Sequence, residues 1–155
     1  PQYSCESHFC RISHGCKRDG ANHKGRGKMI NGVGVDIVKI SRIEKAYKKW
    51  GDRFIKRVFT EKEISYCSRK RNPFQHYASR FCAKEAFLKA LGVGKKSGIG
   101  WKDIEVINER SGKPGLTLYN LAREMAMKKG IRSIHLSLSH DEKADIGIAF
   151  VIIEK

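Results

Sequence analysis

The stretch Arg80-Phe81-Cys82-Ala83-Lys84-Glu85-Ala86-Phe87-Leu88-Lys89-Ala90 decides the fold. It contains no glycine or proline, and it is rich in residues that favour a helix. Pro73 suits the first turn of that helix, and Gly92 supplies its stop, so the spacing predicts a helix over residues 73–91. It is the longest and best defined element of the chain, and the fold is expected to be arranged around it.

Working upstream, residues 30–38 alternate small and β-branched residues and read as a strand ending in Gly34-Val35-Asp36-Ile37-Val38. Ser41 offers an N-cap for a helix whose apolar positions are Ile43, Tyr47, Trp50 and Phe54. Thr60 and Glu63, three apart, form a capping-box signature for a short second helix. Downstream, residues 92–100 hold four glycines and read as a flexible loop. Strands are predicted over residues 103–108 and 116–118, with the turn Ser111-Gly112-Lys113-Pro114-Gly115 between them. A helix over residues 120–129 ends at Gly130, and two closing strands cover residues 133–140 and 146–153. Those closing strands are too near one another for a crossover helix, so they pair antiparallel. The fold class is α+β: a largely antiparallel sheet with a long central helix.

The chain has 155 residues and a net charge of +16, enough length for one domain with a real core. No run approaches the eighteen or so apolar residues that would cross a bilayer, so no membrane partner is expected. Residues 1–28 show neither strand nor helix periodicity and are expected to be disordered or non-native, with Met29 as the natural start and residues 29–155 as a single domain. Six basic and two acidic residues precede Met29, leaving +12 for the folded part. Cys5, Cys10 and Cys16 match no common zinc spacing, while Cys67 and Cys82 fall in helical patterns as small buried thiols. A reducing cytoplasm fits this usage.

A carboxylate inside a run that will be buried must be paired, hydrogen-bonded or bound to a cation. Asp36 and Glu85 both meet that description, and together they read as a two-carboxylate Mg2+ site. Phe81, Glu85 and Lys89 share one helix face, so a carboxylate and an ammonium converge on one ligand, with Lys84 a further cation for phosphate. Taken alone, Glu85 and Lys89 are an ordinary surface pair worth roughly 0.2–0.5 kcal/mol; Asp36 is what changes the reading. Between Lys39 and Arg57 stand eight basic residues and two acids. Arg42, Lys45, Lys49, Arg53 and Lys56 form a one-sign stripe, which fits an acidic macromolecule better than a solvated face of mixed sign. Ser137-Leu138-Ser139-His140-Asp141 ends a strand with a histidine suited to proton transfer or to capping a turn. A hydrolase triad is disfavoured because neighbouring strand residues face opposite ways and no G-x-S-x-G is present. Two rival classes remain: an RNA-binding module, which explains the stripe but not the carboxylates, and a magnesium-dependent nucleotide hydrolase, which lacks a use for the stripe.

Gly34-Val35-Asp36-Ile37-Val38 with Arg42-Ile43, Arg80-Phe81 with Lys84-Glu85-Ala86 and Lys89-Ala90, Ser111-Gly112-Lys113-Pro114, and Leu136 to Asp141 resemble, in order, the motifs of the holo-acyl-carrier-protein synthases. These are small 4′-phosphopantetheinyl transferases of fatty acid biosynthesis, and the resemblance spans residues 29–155. It implies the phosphopantetheinyl transferase fold and transfer of 4′-phosphopantetheine from coenzyme A to a serine of acyl carrier protein. By the same resemblance Asp36 and Glu85 hold Mg2+. Arg80, Lys84, Lys89, Lys113 and His140 bind coenzyme A, with Asp36, Glu85, Lys89 and His140 as the catalytic group. Arg42, Lys45, Lys49 and Arg53 would dock the carrier protein. The proton acceptor stays open between Glu85, His140 and a metal-bound water. A homotrimer with sites between subunits is expected, and nucleic acid is not.

Overall fold

The computed structural model describes residues 10–11, 29–94, 97–109 and 111–155. Apart from the backbone of Cys10–Arg11, the expected unstructured segment over residues 1–28 lies outside the described residues, as do Lys95 and Lys96 of the glycine-rich loop. The main sheet has the order β1-β5-β6-β2, built from β1 (Cys10–Arg11), β2 (Ile30–Lys39), β5 (Ser133–Asp141) and β6 (Ile146–Glu154). A separate hairpin joins β3 (Ile104–Asn108) to β4 (Pro114–Leu118). All of these pairings are antiparallel, as the short connection between the closing strands requires.

The helix that opened the reading is α4 (Pro73–Ala90), with Pro73 in its first turn and Gly92 at φ 70 just past its end. It lies directly on the sheet because β2 presents glycines to it. A Cβ on Gly32 would fall on the carbonyl oxygen of Ala90, and one on Gly34 on that of Ala86. A Cβ on Gly147 of β6 would lie 3.2 Å from Ala78 and Ser79, a tight contact rather than an overlap. Even-numbered positions of β2 therefore face α4, which puts Asp36 on the helix side between Gly34 and Val38. The odd positions Val33, Val35 and Ile37 face away and stay exposed.

Away from the sheet α4 is covered by α1 (Ile40–Trp50), α3 (Glu61–Ser68) and β3, with the end of α2 (Asp52–Val58) reached by Lys84, so the helix is buried nearly all round. Phe59, Phe87, Leu91, Ile104, Val151 and Ile153 are fully enclosed, each side chain contributing about 1.5–3 kcal/mol by leaving water. α5 (Asn120–Lys128) packs through Ala122 and Ala126 and ends at Gly130, φ 70.

Two local expectations need correction. The basic helix is two helices, α1 (Ile40–Trp50) and α2, because Gly51 adopts φ 58 and breaks the run. Arg53 thus belongs to α2, and Trp50, expected on the apolar face, is 54 % exposed. Ser41 is not an N-cap: α1 starts one residue earlier, and no side chain at its cap position bonds the first turn. The Thr60–Glu63 capping box forms as expected, with Glu63 accepting from the Thr60 amide at 2.9 Å.

Gly34→Ala tests the seating of α4. The added methyl has backbone rather than a flexible side chain in its way, so a loss of about 1–3 kcal/mol or more is expected in urea denaturation. A melt indistinguishable from wild type would show that α4 does not bear on β2 here.

Candidate active site

Asp36 and Lys89 meet where β2 passes under the last turns of α4. The Lys89 ammonium donates to Asp36 Oδ1 at 2.8 Å and to the Val35 carbonyl at 2.9 Å. Its hydrogen bond to Asp36, and the charges of Asp36 and Glu85, hold it above the usual lysine value and fully charged at neutral pH. Glu85, one turn earlier on α4, is half-buried. One ammonium therefore already lies in the field of both carboxylates, and the place favours positive charge.

That arrangement fits a hard divalent cation. Among the described residues no cluster of three or more His, Cys, Asp or Glu side chains converges, which excludes a closed zinc-type centre there. Mg2+ needs only one or two protein carboxylates, keeping waters and taking phosphate oxygens for the rest. The nearby thiol is inert: Cys82 is buried, its S–H donates to the Gly147 carbonyl, and burial with the adjacent Asp36 charge pushes its pKa up to about 12.

Lys84, expected at the phosphate, is elsewhere. It is 0 % exposed and spends its three donors on Glu63 at 2.7 Å, the Val58 carbonyl at 2.9 Å and the Trp101 carbonyl at 2.9 Å. Lys84 and Lys89 stand five apart on α4, so they project from nearly opposite sides. Burial lowers the Lys84 pKa while Glu63 opposes the shift; Glu63 Oε1 in turn accepts from the Val106 amide at 3.0 Å. Lys84 locks α2, α3, α4 and β3 together and has no proton left for a ligand.

A second cluster surrounds Tyr66. The Arg80 guanidinium stacks 4.0 Å from its ring centroid and the Lys70 ammonium 4.4 Å, while His76 meets it edge-on at 5.9 Å. His140, exposed near the end of β5, packs against His76 at 5.3 Å. Arg80 is 3 % exposed and donates to Asn108 Oδ1 at 2.7 Å; Asn108 also holds the Gly112 carbonyl of the turn that carries Lys113. Arg80 Nε and Lys113 Nζ are buried with no hydrogen-bond partner among the described residues. The unspent donor on Arg80, beside an aromatic ring and next to a histidine pair, suits a phosphorylated aromatic ligand.

The predicted residues thus fall in three groups. Asp36 meets Lys89, with Glu85 one turn before it; Arg80 and His140 lie around the Tyr66 cluster, and Lys113 follows Gly112 in the turn that Asn108 holds; Arg42, Lys45 and Lys49 are exposed along α1, with Arg53 exposed on α2. Tyr66, Lys70, His76 and Asn108 were not singled out from sequence. Only His76 carried a local signal, standing four residues before Arg80 on one helix face. Among the described residues no helix is long and apolar enough to cross a membrane.

The sequence profile described as the 4′-phosphopantetheinyl transferase superfamily matches residues 32–150. A holo-[acyl-carrier-protein] synthase of a Geobacter species is 51% identical over 127 residues, 82% of this chain and 100% of the relative. The same enzyme of Solibacter usitatus is 48% identical over 81% of this chain and 99% of its own length. Among solved structures, the Neisseria meningitidis synthase superposes with TM-score 0.74 at 37% identity, covering 82% of this chain and 100% of that one. The Helicobacter pylori synthase in complex with coenzyme A superposes with TM-score 0.68 at 35% identity, covering 78% and 98%.

His76 yields a pH prediction. Burial, then the charges of His140, Arg80 and Lys70, lower its pKa from 6.5 to about 4. The unfolded chain therefore binds this proton first as pH falls, and stability is lost from about pH 6.5 down to about pH 4. His76→Gln should flatten the slope of unfolding free energy in that window relative to wild type; equal slopes would place His76 in an ordinary solvated setting.

Proposed function

The chain belongs to the 4′-phosphopantetheinyl transferase superfamily, among its holo-[acyl-carrier-protein] synthases, and on that premise we propose that it transfers 4′-phosphopantetheine from coenzyme A to a serine of apo acyl carrier protein. The observation that carries the reading is that one helix, α4, delivers Lys89 to Asp36, with Glu85 one turn earlier on the same face, and Arg80 to the Tyr66 ring. A diphosphate joined to a nucleotide has a charged part for Asp36, Glu85 and Lys89 and an aromatic end for the Tyr66 cluster; the two places lie on different sides of α4, so in a homo-oligomer one copy would supply the first and its neighbour the second.

In this reading the carrier serine oxygen attacks the phosphorus that bears pantetheine. The new O–P bond forms as the bond to the other phosphate breaks, and adenosine 3′,5′-bisphosphate leaves. Such displacements depend mainly on alignment and on charge stabilisation. Asp36 and Glu85 would hold Mg2+, which when bound neutralises the diphosphate and stabilises the leaving oxygen. Lys89, kept charged by Asp36, sets a second positive charge against the phosphates. Arg80, Lys113 and His140 grip the nucleotide end, with the Tyr66 and His76 rings as its apolar wall.

The second substrate comes to α1. Arg42, Lys45 and Lys49 project from an exposed helix beside the groove formed by Val38, Ile43, Trp50, Phe54 and Phe81. This combination suits an acidic helix with an apolar residue in its middle. The sheet face turned away from α4 supports a homo-oligomer, which we take to be a trimer. Val35, 46 % exposed, lies opposite Phe150, and Ile37, 59 % exposed, opposite Ile148, forming one apolar surface that solvent alone would not favour. We place the protein in the cytoplasm, where its thiols stay reduced.

Incubation with coenzyme A, Mg2+ and apo acyl carrier protein should add the mass of phosphopantetheine to the carrier. Asp36→Asn and Glu85→Gln should reduce turnover about a thousandfold while leaving the fold intact by circular dichroism. No mass gain with wild-type protein, or a gain that persists after chelation of metal, would overturn the reading.

Arg42→Glu should raise KM for the carrier at least tenfold, about 1.4 kcal/mol, with little change in KM for coenzyme A. An unchanged carrier KM would remove α1 as the docking surface.

A further inference from the structure

The turn that follows His140 does more than join β5 to β6. Its last residue, Asp145, adopts φ 56, a left-handed conformation that a side chain other than glycine seldom takes. From there its Oδ1 accepts from the Ser41 amide at 2.8 Å and its Oδ2 from the Ser41 hydroxyl at 2.6 Å, while its carbonyl accepts from the Ile40 amide at 3.0 Å. The first turn of α1 has no acidic residue, and Lys39 provides no side-chain cap. The amides at the start of α1 are therefore held by a residue 104 positions away.

The same turn also grips α4. Glu142 Oε1 accepts from Asn72 Nδ2 at 2.8 Å, and Asn72 occupies the cap position before Pro73. Inside the turn, Asp141 Oδ1 takes the Lys143 and Ala144 amides at 2.8 and 3.1 Å, and the Glu142 carbonyl takes that of Asp145 at 3.2 Å. A braced turn thus ties α1, which carries Arg42, Lys45 and Lys49, to α4, which carries Glu85 and Lys89, immediately after His140.

We propose that Asp145 is a positioning residue of the transfer reaction, fixing the angle of α1 so that a carrier protein docked on it delivers its serine to the Asp36–Glu85 pair. The inference rests on the function proposed above. A local cap at position 39 would satisfy the same amides without a distant residue in a left-handed conformation; what the distant one adds is a tie between two parts of the site. Ile43 and Tyr47, the latter 5.5 Å from Phe74, pack α1 along its length, and the clasp at Ser41 is what fixes its first turn to the β5–β6 turn. Lys49 lies eight residues from Ser41, about 12 Å along the axis, so a tilt of about 10° at the clasp moves it about 2 Å. Displacements of that size are large against the tolerance of a reacting pair.

Steady-state kinetics of the full chain with coenzyme A, Mg2+ and apo acyl carrier protein, together with thermal melts, test this. Asp145→Gly removes the carboxylate and frees the backbone of its left-handed strain, so its melting midpoint should stay within a few degrees of wild type. Its KM for the carrier should rise about tenfold, with KM for coenzyme A within about twofold. Asp145→Asn, which tolerates the same φ and keeps one acceptor, should fall between the two. Ser41→Ala, a mild change inside a helix, should shift the carrier KM in the same direction by a smaller factor. A wild-type carrier KM in both Asp145→Gly and Ser41→Ala, or a parallel rise of both KM values, would overturn the proposal while leaving the transferase reading standing. Absence of transfer by the wild-type chain would sink that reading and this one with it.

Discussion

The close seating of α4 on β2 is the constraint on which the rest depends. Gly32 and Gly34 let the helix backbone come to rest on the strand, leaving no room for a Cβ at either position. Asp36 comes next on the same face, and the close approach brings it within hydrogen-bonding distance of Lys89. Had β2 carried side chains there, the helix would ride several ångströms higher, and the carboxylate and ammonium would face one another across water.

The helix works on both sides at once. Its sheet side forms the charged pair, and its opposite side plants Lys84 among Glu63, Val58 and Trp101. A buried ion pair of this kind adds little net stability compared with an apolar pair, but losing one partner leaves an uncompensated charge, at about 3–5 kcal/mol. The pair therefore makes the register of α4 against α3 and β3 hard to change. Register also sets the contact with β2, since a slip of one residue rotates Glu85 and Lys89 about 100° away from that strand.

Charge is distributed with the same economy. Much of the excess positive charge of the folded part lies along α1 and α2 and around Tyr66. Arg80 and Lys70 flank one aromatic ring rather than pairing with acids, and Lys113 keeps its ammonium unspent. Lys84 with Glu63, Lys89 with Asp36 and Lys62 with Glu105 pair between elements, whereas Lys48 pairs with Glu44 within α1.

Much of this was legible in the chain itself, because local signals act over a few residues. Pro73 and Gly92 bound α4, Thr60 and Glu63 made their capping box, Gly130 ended α5, and alternation marked β2, β5 and β6. The ordered motifs named the family, and with it Asp36 and Glu85. Lys84 and Lys89 looked equivalent in sequence; because α4 is apolar on several sides, its pattern could not say which face would meet the sheet. Ser41 read as a cap, yet the cap is Asp145, brought there by the β5–β6 pairing. Tyr66, His76 and Asn108 meet from three separate elements, and only His76, one turn before Arg80, had a spacing in sequence to announce it. The sequence alone determined most of the elements and many of their ends, which are set by neighbours within a turn or two. Only tertiary structure decided which cations are spent in the core and which remain for a ligand, since that depends on contacts between residues dozens of positions apart.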